Sequence, residues 1–181
     1  MKRFFMALIG AGMLTLAATP AFSQSATVIS TATIVTPITA TATAPLAFGT
    51  IAKGATATVS ATSASAAAVT FSGDESDQIT VTVPSSVAIS TSAGAGGTMA
   101  VTISRGSLRG NTSSNQGTSS SVNASSGSAT VVLSGDNGGD GVKNDGLGQY
   151  YLWIGGSVMP SSQQQRGSYS GTFTVSAAYS N

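Results

Sequence analysis

Between Ala26 and Phe48, apolar and polar positions largely alternate, with Ser30 and Thr36 on the apolar side and Ile29 and Val35 on the other. The even positions read Ala26, Val28, Ser30, Ala32, Ile34, Thr36, Ile38, Ala40, Ala42, Ala44, Leu46 and Phe48. Threonine fills most of the odd ones, at Thr27, Thr31, Thr33, Thr39, Thr41 and Thr43. A period of two gives an extended chain one apolar face and one hydroxyl face, which is the signature of a strand. A single strand of that length would run about 75 Å at ~3.3 Å per residue, far beyond an ordinary strand. The run must therefore break, and Pro37 and Pro45 are the places, because proline has no N–H to give to a ladder. The pattern predicts an extended arm over 28–35, a strand over 38–44 and a third short segment over 45–51 that ends near a turn at Lys53-Gly54.

Further strands follow at the spacing of a sandwich: 55–61, 66–72, 78–83, 87–91, 98–104, 129–133, 149–154, a short run through Val158 and Met159, and 169–179. β-Branched residues dominate these runs, and turn sequences such as SGDESD and SAGAGG separate them. No segment carries a helical period. Two polar stretches, RGSLRGNTSSNQGTSSSVNASSGS and SGDNGGDGVKNDGLGQ, read as mobile loops or poorly ordered crossovers. In the last strand Tyr169, Gly171, Phe173, Val175, Ala177 and Tyr179 alternate with serine and threonine, which predicts an amphipathic strand buried against the core. The expectation is an all-β chain.

The first residues, MKRFFMALIGAGMLTLAATPAFSQ, have the three parts of a secretory signal. Lys2 and Arg3 precede an apolar run, Pro20 breaks it, and Ala21-Phe22-Ser23 offers the small residues that signal peptidase needs. A cleaved peptide over 1–23 is expected, then the arm over 24–36 and a β-sandwich domain over 37–181. The apolar run is shorter than the ~20 residues of a spanning helix. No other segment is long and apolar enough, so no membrane span is expected after cleavage. Without cysteine, neither a lipid anchor nor a disulfide can form.

Beyond Ser23 five cations face six carboxylates, a net charge of −1. No basic stripe remains to neutralise phosphates, so nucleic-acid binding has no electrostatic footing. With no histidine and no cysteine, Ser-His-Asp triads, Cys-His dyads and histidine-based metal sites are excluded. The acids fall in two turns, Asp74, Glu75 and Asp77 in one and Asp136, Asp140 and Asp145 in the other, rather than across a cleft. No enzyme activity and no cofactor are expected. The second turn invites a calcium reading, but its spacing is not that of an EF-hand, no glutamate closes it, and Lys143 lies inside it. Alternation puts Tyr151 and Trp153 on one face and Tyr150 and Leu152 on the other, for core packing or, in a rival reading, for stacking on a sugar.

The Thr-rich start TATIVTPITATATAPLAFGTIAKG, the segment DGLGQYYLWIGGSVMP and the ending RGSYSGTFTVSAAYSN resemble a family of secreted bacterial proteins called domain of unknown function 4402. More distantly, the chain looks similar to fimbrial major subunits of the Mat/Ecp kind and to spore-coat-U-like pilins. The resemblance implies an immunoglobulin-like, pilin-like antiparallel β-sandwich with long polar loops, secreted to the periplasm, cell surface or exterior of a Gram-negative-type bacterium. It implies a structural subunit of a surface appendage or coat, whose partners are further copies of itself or a periplasmic chaperone. Pilins of the chaperone–usher type complete one subunit's sheet with a neighbour's strand. On that likeness Val28, Ala32 and Ile34 are the inserting side chains, and Tyr169, Gly171, Phe173, Val175 and Tyr179 mark the terminal strand. Tyr179 stands third from the end rather than second, and the disulfide common in such pilins is absent. The alternative is a self-contained secreted binding or adhesive module in which 28–35 folds back as an edge strand.

Overall fold

Runs of Val, Ile, Thr and Tyr become strands where their side chains can alternate between a core and solvent, and this chain uses the device throughout. The structure is a computed structural model that describes residues 32, 36–91, 97–123, 127–134 and 147–180. The chain divides into units 1–33 and 34–181. Of the first, only Ala32 lies among the described residues, and it is exposed. The segments expected to be a signal peptide (1–23) and, Ala32 and Thr36 apart, an arm (24–36) therefore lie outside the described residues.

In chain order the strands are β1 (Thr39–Ala44), β2 (Ala57–Val59), β3 (Ala67–Asp74), β4 (Gln78–Thr82), β5 (Ser86–Thr91), β6 (Thr98–Thr102), β7 (Leu108–Asn111), β8 (Ser120–Ser121), β9 (Ser128–Val132), β10 (Leu147–Ile154), β11 (Gly156–Val158), β12 (Tyr169–Ser170) and β13 (Ser176–Tyr179). They form an antiparallel β-sandwich. One sheet has the order β1-β3-β10-β7-β8, and the chain facing it forms β12-β5-β6-β11-β2 and β13-β4-β9. At the centre β3 and β10 pair over eight residues, from Leu147 opposite Asp74 to Ile154 opposite Ala67. This register sets Tyr150 against Phe71 and Leu152 against Val69, and the period of two sends all four to one side. There they meet Ile79, Val81, Val87, Val101, Ala129 and Val158 from the opposing strands. Phe71, Ile79, Leu133 and Ile154 have no solvent exposure at all. On the other side of β10, Trp153 packs with Val59, Ala61 and Ala66 in a smaller cluster.

The structure corrects three expectations. The strand expected over 169–179 is two short strands in different sheets, β12 on β5 and β13 on β4. Between them residues 171–175 form no strand, and the partners β5 and β4 are themselves separated by Val83, Pro84 and Ser85 and belong to different sheets. The alternation survives the break, but Phe173, Val175, Ala177 and Tyr179 are half-buried rather than buried, and Gly171 is exposed. Secondly, the segment over 45–51 forms no strand, although the turn at Lys53-Gly54 is present and the Gly54 N–H donates to the Pro160 carbonyl at 2.9 Å. Thirdly, the first polar stretch is no loose loop. Its described part carries 3₁₀ turns at Arg105–Ser107 and Gln116–Thr118 with β7 and β8, and it buries Leu108 and Val122 in the main core.

That ordering is polar. Arg109 donates from Nε to Ser119 Oγ at 3.1 Å and from its guanidinium to the Ser119 carbonyl, while Ser119 Oγ donates to the Gln116 carbonyl at 2.6 Å. Gln116 Nε2 donates in turn to the carbonyls of Ala61 at 2.7 Å and Ser63 at 3.0 Å. Asn115 caps the second turn by accepting from the Gly117 N–H.

Candidate functional site

Strand β1 is where the sequence pattern and the packing part company. Ala40 lies opposite Phe71 and Ala42 opposite Val69, so both face the core side, yet both are exposed. The order of the sheet explains why. β1 pairs with β3 along one edge only, and among the described residues nothing pairs with its other edge. The sandwich is open along that side as a groove of about 1180 Å³.

One wall of the groove is Ala40, Ala42 and Val69, and the other is Val87, Ile89, Met99 and Val101 from β5 and β6. Leu46, Phe48 and Ile51 line it further, as do Phe173 and Val175 of the C-terminal chain. These five, together with Ile89 and Met99, are only half-buried. Gly171 allows the C-terminal chain to come close, because a Cβ there would stand 2.5 Å from the Ala88 carbonyl oxygen. Among the described residues, Lys53 and Arg166 are the charged ones of the lining, which there holds no carboxylate. The volume exceeds the ~300–1,000 Å³ of a small-ligand pocket. A free strand edge beside exposed apolar surface is a template for another strand.

At one end of β1 three residues close a ring of hydrogen bonds. The Thr36 N–H donates to Asp74 Oδ2 at 2.8 Å, the Asp74 N–H donates to the Tyr179 hydroxyl at 2.8 Å, and that hydroxyl donates to the Thr36 carbonyl at 2.6 Å. The Thr36 side chain and then its N–H hold the Asp74 carboxyl below its ordinary value of 3.8. Gly73 makes room for the ring, since a Cβ there would lie 2.6 Å from the Tyr179 hydroxyl. Thus the root of the arm, the end of β3 and the last strand meet at one point.

Of the candidate inserting residues, Val28 and Ile34 lie outside the described residues and Ala32 is exposed. The terminal-strand residues divide between two tasks. Phe173 and Val175 line the groove and Tyr179 closes the ring, while Tyr169 donates to the Gln165 carbonyl at 2.9 Å and accepts from Gln164 Nε2 at 2.9 Å. Asp74 and Thr36 carried no signal in the sequence, because a ring spanning 143 positions has no local pattern. Alternation put Ala40 and Ala42 on the apolar face of their strand but gave no sign of the space beside them.

Trp153 stacks on Tyr151 with ring centroids 6.2 Å apart and 19° between planes, and it is 7 % exposed. Its surface is taken up by packing, on the face that alternation assigns to it. Burial pushes the Tyr150 phenol above its ordinary range. Asp136, Asp140 and Asp145 of the calcium reading lie outside the described residues. Among the described residues no group of three His, Cys, Asp or Glu side chains is arranged to hold a metal ion, and no helix is long and apolar enough to cross a membrane.

Fold and groove together define a cysteine-free antiparallel β-sandwich left open along one edge strand. The chain belongs to the family described as Domain of unknown function (DUF4402), which matches it over residues 30–179. No curated protein and no solved structure matches it.

Proposed function

We propose that this protein is a structural subunit of a bacterial surface appendage or coat, exported by a cleaved signal peptide and assembled by β-strand addition. The observation that carries this reading is the groove beside β1, where an unpaired strand edge lies next to half-buried Ile89, Met99, Leu46, Phe48 and Phe173. A strand laid there would use the free hydrogen-bonding groups of β1 and remove that apolar surface from water, at ~25 cal/mol per Å² covered. The largely alternating sequence over 26–35 suits such a strand, with Val28, Ala32 and Ile34 beside Ser30 on one face and Thr27, Thr31 and Thr33 beside Ile29 and Val35 on the other.

The test is size-exclusion chromatography and negative-stain microscopy of the chain beginning at Gln24, beside one that also lacks 24–35. Ladders or filaments from the first and monomer from the second are expected. Identical stable monomers from both would sink the proposal.

Lys53 and Arg166 in the lining favour a second reading, a self-contained secreted binding module that takes an apolar ligand with an acidic end. A monomeric chain that binds such a ligand only while Lys53 and Arg166 are intact would put this reading first.

A further inference from the structure

The two ends of the groove differ in charge. One end lies at the start of β1, where Ala40 and Val175 line it and the ring of Thr36, Asp74 and Tyr179 stands beyond. The other lies past the end of β1, where Lys53 and Arg166 line it. A carboxylate therefore stands beyond one end and two cations stand at the other, with apolar walls between.

The cations sit on turns that are tied together. The Gly54 N–H donates to the Pro160 carbonyl at 2.9 Å, which fixes the Lys53 turn against the segment that leads to Arg166. That segment is ordered in its turn. The Gln164 N–H donates to the Ser161 carbonyl at 3.1 Å, Gln164 Nε2 donates to the Tyr169 hydroxyl at 2.9 Å, and that hydroxyl donates to the Gln165 carbonyl at 2.9 Å. Among the described residues no ion pair engages Lys53 or Arg166. A strand added to β1 is held by its backbone, and if uncharged it leaves both cations idle. They suit an anion instead, since a guanidinium and an ammonium both give charge-assisted hydrogen bonds to a carboxylate.

The walls set the rest of the ligand. Exposed Ala40 and Ala42 face half-buried Ile89, Met99 and Phe173, so the space between them suits a slender apolar chain. From Ala40 to Ala44 the β1 wall runs about 13 Å at ~3.3 Å per residue. A saturated chain of about twelve carbons, with C–C bonds of about 1.5 Å in zigzag, has that length.

We infer that the groove takes a long-chain carboxylate, its acid at Lys53 and Arg166 and its chain running along β1 toward Val175. This rests on the groove acting as a ligand site, the second reading above, and adds the class of ligand and its direction.

Dodecanoate, dodecanol and dodecyltrimethylammonium share one chain and differ in the charge of the head. Each is titrated below its micelle concentration into the chain beginning at Gln24 and into the chain lacking 24–35, and followed by calorimetry. The shorter chain guards against a groove already filled by a strand. Saturable one-to-one binding of dodecanoate to at least the shorter chain is expected, with dodecanol about tenfold weaker and the ammonium weaker still. Lys53→Gln together with Arg166→Gln should weaken dodecanoate about tenfold and leave dodecanol unchanged. Ala42→Asp, at an exposed site on the wall, should weaken both, with Ala40→Asp as a substitute should the first fold poorly. Dodecanoate carrying a nitroxide at its methyl end should broaden the amide resonances of Ala40 and Val175 more than those of Lys53 and Gly167.

The reverse broadening would overturn the direction. Dodecanol bound as tightly as dodecanoate, or a double variant that binds both as the parent does, would overturn the place of the acid and leave an apolar binding module standing. Dodecanoate bound only as micelles or in vesicles would mean a surface effect and no groove ligand. If neither chain binds any of the three, the ligand site falls and the second reading with it, while strand addition is judged by its own test.

Discussion

Asp74 carries its charge at a point where three segments of chain meet. Because the Thr36 hydroxyl and N–H favour the ionised form, its folded pKa lies below the unfolded one. A depressed carboxyl contributes stability that is complete above its unfolded value, here 3.8, and that is lost as pH falls through the lower folded value. The parent should therefore melt above Asp74→Asn at neutral pH, and the gap between them should narrow below about pH 4. The two curves should run parallel above it, and a gap that stays constant down to acid pH would disprove the linkage. The neighbouring Gly73 makes a steric prediction. A methyl group there meets the Tyr179 hydroxyl at 2.6 Å and Leu133 Cδ1 at 2.8 Å. Leu133 is fully buried and cannot retreat, so Gly73→Ala should destabilise by roughly 1–3 kcal/mol in chemical denaturation. Gly73→Ala combined with Tyr179→Phe should recover only the part due to the hydroxyl.

At the scale of elements, what could be read from the sequence depended on where each signal resides. β3 and β10 announce themselves, because one face of each is buried along its length and the period of two appears undiluted in Ala67, Val69, Phe71 and in Tyr150, Leu152, Ile154. The split of the last strand was hidden, since it follows from its partners β4 and β5 lying in different sheets, about ninety positions earlier, which no local pattern records. β7 and β8 were hidden for another reason. Leu108 and Val122 are isolated apolar residues in Ser, Gly and Asn surroundings, and the order around them comes from side chain–backbone hydrogen bonds rather than from periodicity. The groove was half legible: alternation placed Ala40 and Ala42 on the core face but could not show that the opposing sheet stands away from them. If 105–123 is an integral part of the sandwich, Leu108→Ala should cost about 2–5 kcal/mol in a denaturant titration. Gln116→Ala, which removes the side-chain donor to the carbonyls of Ala61 and Ser63 and leaves the latter only the Ala66 N–H, should cost about 1–2 kcal/mol. A Leu108→Ala value below ~0.5 kcal/mol, typical of surface sites, would mean that the segment is an appendage after all.

For the whole molecule the question is how a β-sandwich of low charge, without a disulfide, tolerates an open side. Native sheets protect exposed edges with charges, prolines, bulges or cover. β1 has a register shift between Ala42 and Ala44 and Pro45 just beyond, which shorten the usable edge, but it has no charged residue along it. Among the described residues protection of this edge is therefore weak, and the proposed added strand would supply cover. An apolar fluorescent dye with an acidic group, such as anilinonaphthalene sulfonate, can report on this, since such dyes light up on exposed apolar surface and Lys53 and Arg166 in the lining suit its sulfonate. The chain lacking 24–35 should enhance the dye strongly while unfolding cooperatively, which separates a groove from a molten state. Adding the 26–35 peptide should quench the signal in proportion to occupancy and raise the melting temperature, because a ligand that binds only the folded form stabilises it by mass action. Ala42→Asp should abolish the peptide effect yet leave the unliganded stability within about 0.5 kcal/mol of the parent's, as an exposed site allows. If the chain lacking 24–35 gives no dye signal, the groove closes on its own in solution. The sandwich would then be complete without a donor, and the pressure toward assembly argued from its open edge would be absent.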